Sequence, residues 1–144
     1  MAILGRMTMP RFEDVRNVPL TTDADLMERV EHLLDGAIRR QLWFMFLDER
    51  DRQSPMLIPI DDVPDRPDPA STTFGDLLRD VVDALEARSV VAILERPGTS
   101  KVTADDRAWA RHLRGECAAA GIRLRGPILC HSDGLRWLVV PGQG

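Results

Sequence analysis

A chain of 144 residues is long enough for one ordinary domain, since domains cluster near roughly 100–150 residues, and too short for two independent cores. Hydrophobic residues make up 44% and charged residues 29%, which excludes the low-apolar, high-charge composition of disorder, and a net charge of -4 gives no overall pull toward phosphate backbones. Lys101 is the single Lys among 19 basic residues, and because the Arg residues are scattered among acids the excess reads as codon bias rather than as planar recognition of carboxylate or phosphate.

Residues 1–21 hold no sustained period and read as an irregular N-terminal arm, leaving residues 22–144 as the domain. From Thr22 the spacing of Leu26, Val30, Leu33, Leu34 and Ile38 predicts an amphipathic helix, with Thr22 and Asp23 as caps and Arg39 and Arg40 at its C-terminal end. Leu42-Trp43-Phe44-Met45-Phe46-Leu47 is a continuous apolar run of strand length, the pattern of a strand buried on both faces. The polar block Asp48 to Gln53 reverses the chain into a second strand, Met56 to Ile60, which Pro59 limits to an edge or a bulge. Asp61 to Thr72, rich in Pro and Asp, is a surface loop.

Leu77, Leu78, Val81, Val82 and Leu85 predict a second helix capped by Thr72 or Thr73, and Ser89 to Leu94 a buried β-branched strand that ends at Glu95-Arg96-Pro97-Gly98. A third helix opens with the capping-box variant Thr103 to Asp106, carries the stripe Trp109, Leu113, Cys117, Ala120, and stops at Gly121 in the position of a left-handed C′ residue. Ile122 to Leu124 begins a strand that Pro127 to Cys130 continues or follows, and Asp133-Gly134 signals a hairpin into Leu135 to Val140. Helix, hairpin, helix, strand, helix, hairpin is the order of an α/β or α+β domain: one mixed sheet flanked by helices.

Two cysteines, Cys117 and Cys130, are too few for a disulfide framework, and no stretch approaches the roughly 18 apolar residues of a membrane span, so the expected location is the cytoplasm. His112 and Cys117 stand five apart on a helix, rotated by about 140°, and do not share one metal. The aspartates of the 61–68 loop lack EF-hand spacing and its Gly. Gly98-Thr99-Ser100-Lys101 lacks Walker spacing, although its amides and hydroxyls could donate to an anion.

Three of these patterns together resemble the RadC-like branch of the JAB/MPN metalloprotease fold, which is cytidine deaminase-like. Trp43 to Leu138 carries the resemblance. Leu42 to Arg52 is similar to the family's opening hairpin, Asp76 to Arg96 to its central helix and metal-delivering strand, and Thr103 to Ile122 to its next helix and return strand. Active members carry His-x-His-Pro at the strand exit and Ser/Thr-x-x-Asp about ten residues later. Two imidazoles at i and i+2 of an extended segment and one Asp then supply three zinc ligands, with an upstream Glu as general base. Here the run is Leu94-Glu95-Arg96-Pro97, so both His positions are replaced, Thr103 and Asp106 remain, and Arg40 or Gln41 falls near the upstream acid. A guanidinium that stays charged beside Asp106 opposes a divalent cation.

The resemblance implies a metal-free pseudoenzyme that binds protein partners or a second copy of itself, with no catalytic residues, no metal and no cofactor. Asp106 is expected to cap its helix and pair with Arg96. Alternatively, Glu95, Arg96, Lys101 and Asp106 line a residual cleft for a peptide terminus or a small anion. Two further readings belong to other classes: a hydrolase with Glu95 or Asp106 as base, and a nucleic-acid or nucleotide binder using Arg107, Arg111 and Arg114, which share one helix face at i, i+4 and i+7.

Overall fold

The apolar run 42–47 lies within strand β1 (Gln41–Leu47), which is buried along its whole length and organises the domain. The computed structural model describes residues 18–34, 36–70 and 73–138. Around β1 stand α1 (Asp23–Leu33), β2 (Gln53–Asp61), α2 (Gly75–Leu85), β3 (Ser89–Glu95), α3 (Ala104–Ala119), β4 (Arg123–His131) and β5 (Gly134–Trp137). The strands form one five-stranded sheet in the order β2-β1-β3-β4-β5. Only β3 and β4 pair in parallel; the other neighbours are antiparallel. That one parallel pair is joined by α3, the helical crossover such a connection requires.

Both faces of the sheet are covered, which is why β1 and β3 carry no polar alternation. Successive side chains of a strand point to opposite faces. Leu42, Phe44 and Phe46 therefore pack with Val90, Ala92 and Leu94 beneath α2 and α3, where Leu78, Trp109 and Leu113 complete one core. Trp43, Met45 and Leu47 pack with Val91 and Ile93 against Leu26, Val30 and Leu33 of α1 in a second core. Leu20 is buried in this second core and its amide donates to Asp51 O, so the end of the expected N-terminal arm belongs to the domain. Residues 1–17 of that arm lie outside the described residues.

Strand β2 is an edge, as Pro59 requires. A proline has no N–H to give to a ladder, and β2 carries two, Pro59 opposite Trp43 and Pro55 within the register irregularity between Leu57 and Gln53. The edge thus lacks two backbone donors, which blunts it against pairing with another strand.

Several boundaries differ from the sequence expectation, among them the start of β2, which already pairs from Gln53 rather than Met56. Helix α1 ends at Leu33, because Leu34 is extended and Gly36 takes φ +77° where a Cβ would meet Ser132 O at 3.1 Å; Ile38, Arg39 and Arg40 fall in the connection to β1. Helix α2 has Phe74 at its N-cap with no side-chain cap, and the Phe74 and Gly75 amides donate instead to Glu116 Oε1 of α3 at 2.6 and 3.1 Å. Thr73 is not the cap, and Thr72 lies outside the described residues. Strand β4 starts at Arg123 and is continuous through Gly126-Pro127, the first of the two alternatives left open, with a register shift opposite Val91 to Ile93. The β4–β5 turn is Ser132-Asp133, closed by the pair His131 and Gly134; Val139 and Val140 lie outside the described residues.

The third helix starts as expected. Thr103 Oγ1 accepts from the Asp106 amide at 3.0 Å while Asp106 Oδ2 accepts from the Thr103 amide at 3.0 Å, and Gly121 takes φ +70° just beyond the end. Gly115 lies in the interior of this helix, and a Cβ added there meets nothing within 4 Å. Gly115→Ala is accordingly expected to stabilise the protein by about 0.5–1 kcal/mol through the unfolded chain, read as an increased urea midpoint at unchanged slope. A lowered midpoint would show that this turn of the helix does not have the open space described.

Candidate functional site

Strand β3 delivers Leu94, Glu95 and Arg96 to the edge of the sheet, and their alternation sends them to different environments. Leu94 is fully buried in the core beneath α2 and α3. Arg96 points to the same side as Leu94 and reaches the first turn of α3. Its Nε donates to Asp106 Oδ1 at 3.2 Å and its Nη2 to Asp106 Oδ2 at 2.8 Å, a bidentate pair in which the side chains are 5% and 2% exposed. The remaining donors go to backbone: Nη1 to Thr99 O at 2.6 Å and Nη2 to Lys101 O at 3.0 Å.

The segment from Pro97 to Thr103 is therefore wrapped around one guanidinium. Gly98 permits the wrap, because at φ +132° a Cβ would stand 3.1 Å from Arg96 Nη1. Gly98 also donates its amide to Ser132 Oγ at 2.8 Å, which ties the loop to the β4–β5 turn. Burial alone would raise the pKa of the Asp106 carboxyl, but the Arg96 hydrogen bonds, the Thr103 amide and the Arg96 charge together outweigh it and hold the group below the ordinary aspartate range.

Glu95 faces the opposite side of the sheet. Its carboxylate is fully buried and accepts from Ile38 N at 2.7 Å, Arg39 N at 3.3 Å, Gln41 Nε2 at 2.9 Å and Trp43 Nε1 at 2.9 Å. It anchors the connection between α1 and β1. Of the residues expected to share a cleft, Arg96 and Asp106 meet, Lys101 contributes its carbonyl while its side chain is exposed, and Glu95 stands across the sheet from them. Neither Glu95 nor Asp106 is placed as a general base, since both are buried and engaged by N–H donors.

A cleft of about 280 Å³ opens beside this pair, lined by Arg96, Pro97, Gly98, Thr99 and Thr103, and by Arg40 from the connection just before β1. The Arg40 Nε pairs with Asp65 at 3.1 Å, and Arg66 Nε pairs with Asp105 at 2.9 Å, so the acidic loop closes the cleft rim with ion pairs. Of Arg40 and Gln41, the two residues that the resemblance puts near an upstream acid, Arg40 lines this cleft and Gln41 donates to Glu95. Asp65 and Arg66 had no signal in the sequence beyond a charged, proline-rich loop.

No family model matches the chain, and no curated protein matches it. The fit of a metal is thus judged on the residues. Leu94 and Arg96, where the resemblance would place two imidazoles, are a core leucine and a buried guanidinium bonded to Asp106, Thr99 and Lys101. Among the described residues no group of His, Cys, Asp or Glu side chains is arranged to hold an ion. These residues do not fit zinc.

The other candidates are separate from this cleft. Cys117 and Cys130 are buried in different cores on opposite faces of the sheet. Burial pushes the Cys117 thiol up to about 11, so it is a neutral apolar group. Arg107 donates to Val102 O at 3.2 Å, whereas Arg111 is exposed and Arg114 half-buried further along α3. No helix among the described residues is long and apolar enough to cross a membrane.

Proposed function

We propose that this chain is a metal-free, JAB/MPN-like pseudoenzyme that acts as a protein-interaction or scaffold domain. The observation that carries the reading is the Arg96–Asp106 pair: the two positions that in the resembled family would hold a metal ligand each are joined by a bidentate salt bridge with both side chains buried. The surrounding order supports it, with an opening hairpin β1–β2, a helix and strand that lead to Arg96, and a Thr103–Asp106 capping box ten residues beyond Arg96.

Folding around an ion pair instead of an ion leaves the domain its architecture without its Lewis acid. A partner then docks through side chains rather than by strand addition at β2, because Pro55 and Pro59 remove donors from that edge. Apolar side chains are available for this at Ile38 beside α1 and Met56 on β2.

Elemental analysis of the purified protein tests the reading, together with thermal unfolding in the presence of a chelator. The expected result is substoichiometric zinc and a Tm that the chelator leaves unchanged. Stoichiometric zinc whose removal lowers the Tm would overturn it.

A further inference from the structure

A second concave surface lies away from the Arg96 cleft, between α3 and the N-terminal half of β4. It is a shallow, largely open groove of about 470 Å³. Arg111 and Arg114 line it from one turn of the helix, and Cys117, Ala118, Ile122 and Leu124 supply its apolar walls. Strand β5 pairs with β4 only over Ile128–His131, so among the described residues no strand pairs with Arg123–Gly126 on the side away from β3, and the groove is open there. Gly115 also lines it, and its missing side chain leaves the space beside the two arginines clear.

The charges here are unbalanced in an otherwise acidic protein. Among the described residues Arg40, Arg52, Arg66, Arg79, Arg96 and Arg125 are each paired with an aspartate, whereas Arg29, Arg107 and several other arginines, like the two in the groove, are not. Arg111 and Arg114 form no ion pair among the described residues, and Arg114 Nε is buried without a hydrogen-bond partner. Residues three apart on a helix are surface neighbours, so two guanidinium groups can converge on one anion while the anion's body lies on the apolar wall. No aromatic side chain lines the groove, which leaves it without the stacking platform that single-stranded nucleic acid uses.

We infer that the α3–β4 groove is a binding site for an amphipathic carboxylate: a small molecule with an apolar body and one anionic head, the head held by Arg111 and Arg114. The site is independent of the pseudoenzyme reading and of the Arg96–Asp106 pair.

Titration of the full chain with naphthoate, followed by amide chemical shifts and by calorimetry, tests the inference. Saturable binding is expected, with shifts concentrated on Arg111 to Leu124. The double variant Arg111→Gln/Arg114→Gln is expected to weaken it about tenfold or more, because charge-assisted bonds to the head are lost. The uncharged naphthylmethanol is expected to bind as weakly as naphthoate binds the variant. Absence of saturable binding, shifts centred elsewhere, or an affinity unchanged by the double variant would overturn the site. Inorganic phosphate binding as tightly as naphthoate would overturn the amphipathic assignment in favour of a bare anion patch.

Discussion

Asp106→Ala is expected to destabilise the protein by about 3–5 kcal/mol, the range for stranding one partner of a buried ion pair. Arg96 would keep its charge in a site where its side chain is 5% exposed, with only the Thr99 and Lys101 carbonyls left as acceptors. The same substitution removes half of the α3 capping box, since Asp106 Oδ2 also accepts from the Thr103 amide. Urea unfolding reads the loss directly. The apolar double variant Arg96→Met/Asp106→Leu is expected to cost far less than the sum of the single changes, because removing both charges leaves no uncompensated ion. A single-variant loss below about 1 kcal/mol would mean that the pair is as solvated as a surface salt bridge.

The pH dependence follows from the same carboxyl. Its pKa is lower in the folded protein than in the unfolded chain, so the unfolded state binds more protons at acid pH. The contribution is fully present above the ordinary aspartate range and disappears as pH falls through that range toward the folded value. Asp106→Asn should therefore flatten the acid limb of the stability curve. Part of the limb is expected to persist from Asp48, whose carboxyl burial raises but the amides of Arg52 and Arg50 and the Arg52 side chain lower further. An acid limb identical to that of the wild type would separate Asp106 from acid stability.

Glu95→Gln has the second large expected effect, about 2–4 kcal/mol, from a change of one atom. Oε2 accepts from Ile38 N and Arg39 N, and Oε1 from Gln41 Nε2 and Trp43 Nε1. Whichever way a glutamine amide is turned, its NH₂ faces two N–H donors that lose an acceptor, and bonds to a charged acceptor are worth more than neutral ones. Denaturation monitored by tryptophan fluorescence would register both the lost stability and the altered Trp43 indole environment. Wild-type stability in this variant would show that the carboxylate is not the anchor of the α1–β1 connection.

The interiors of the elements were legible in the sequence where the local pattern and the tertiary environment ask for the same residues. The run 42–47 is apolar on both faces because β1 has a helical layer on each side, and Thr103 and Asp106 form their capping box with groups of a single turn. Both signals are contained within a few residues. The end of α1 was not legible, since Ile38 continues the helical spacing and only the close approach of Gly36 to Ser132, almost a hundred residues away in sequence, fixes the break. The cap of α2 was hidden for the same reason: its acceptor is Glu116, in the next helix.

The candidate site divides along the same line. Pairing of Arg96 with Asp106 followed from the replaced ligand positions, because a fixed cation ten residues from a helix-capping acid has an obvious partner. Glu95 could not be separated from them by residue type. Its role depends on strand alternation at the end of β3, which turns it across the sheet to Trp43 while Arg96 turns to α3. The Arg107, Arg111 and Arg114 face was visible as a helical spacing, but spacing carries no information on what stands opposite. Sequence by itself determined the element types and the single mixed sheet. Tertiary structure alone decided which charges are buried, which are paired and which two arginines overlook an apolar groove, because those properties depend on neighbours distant in the chain.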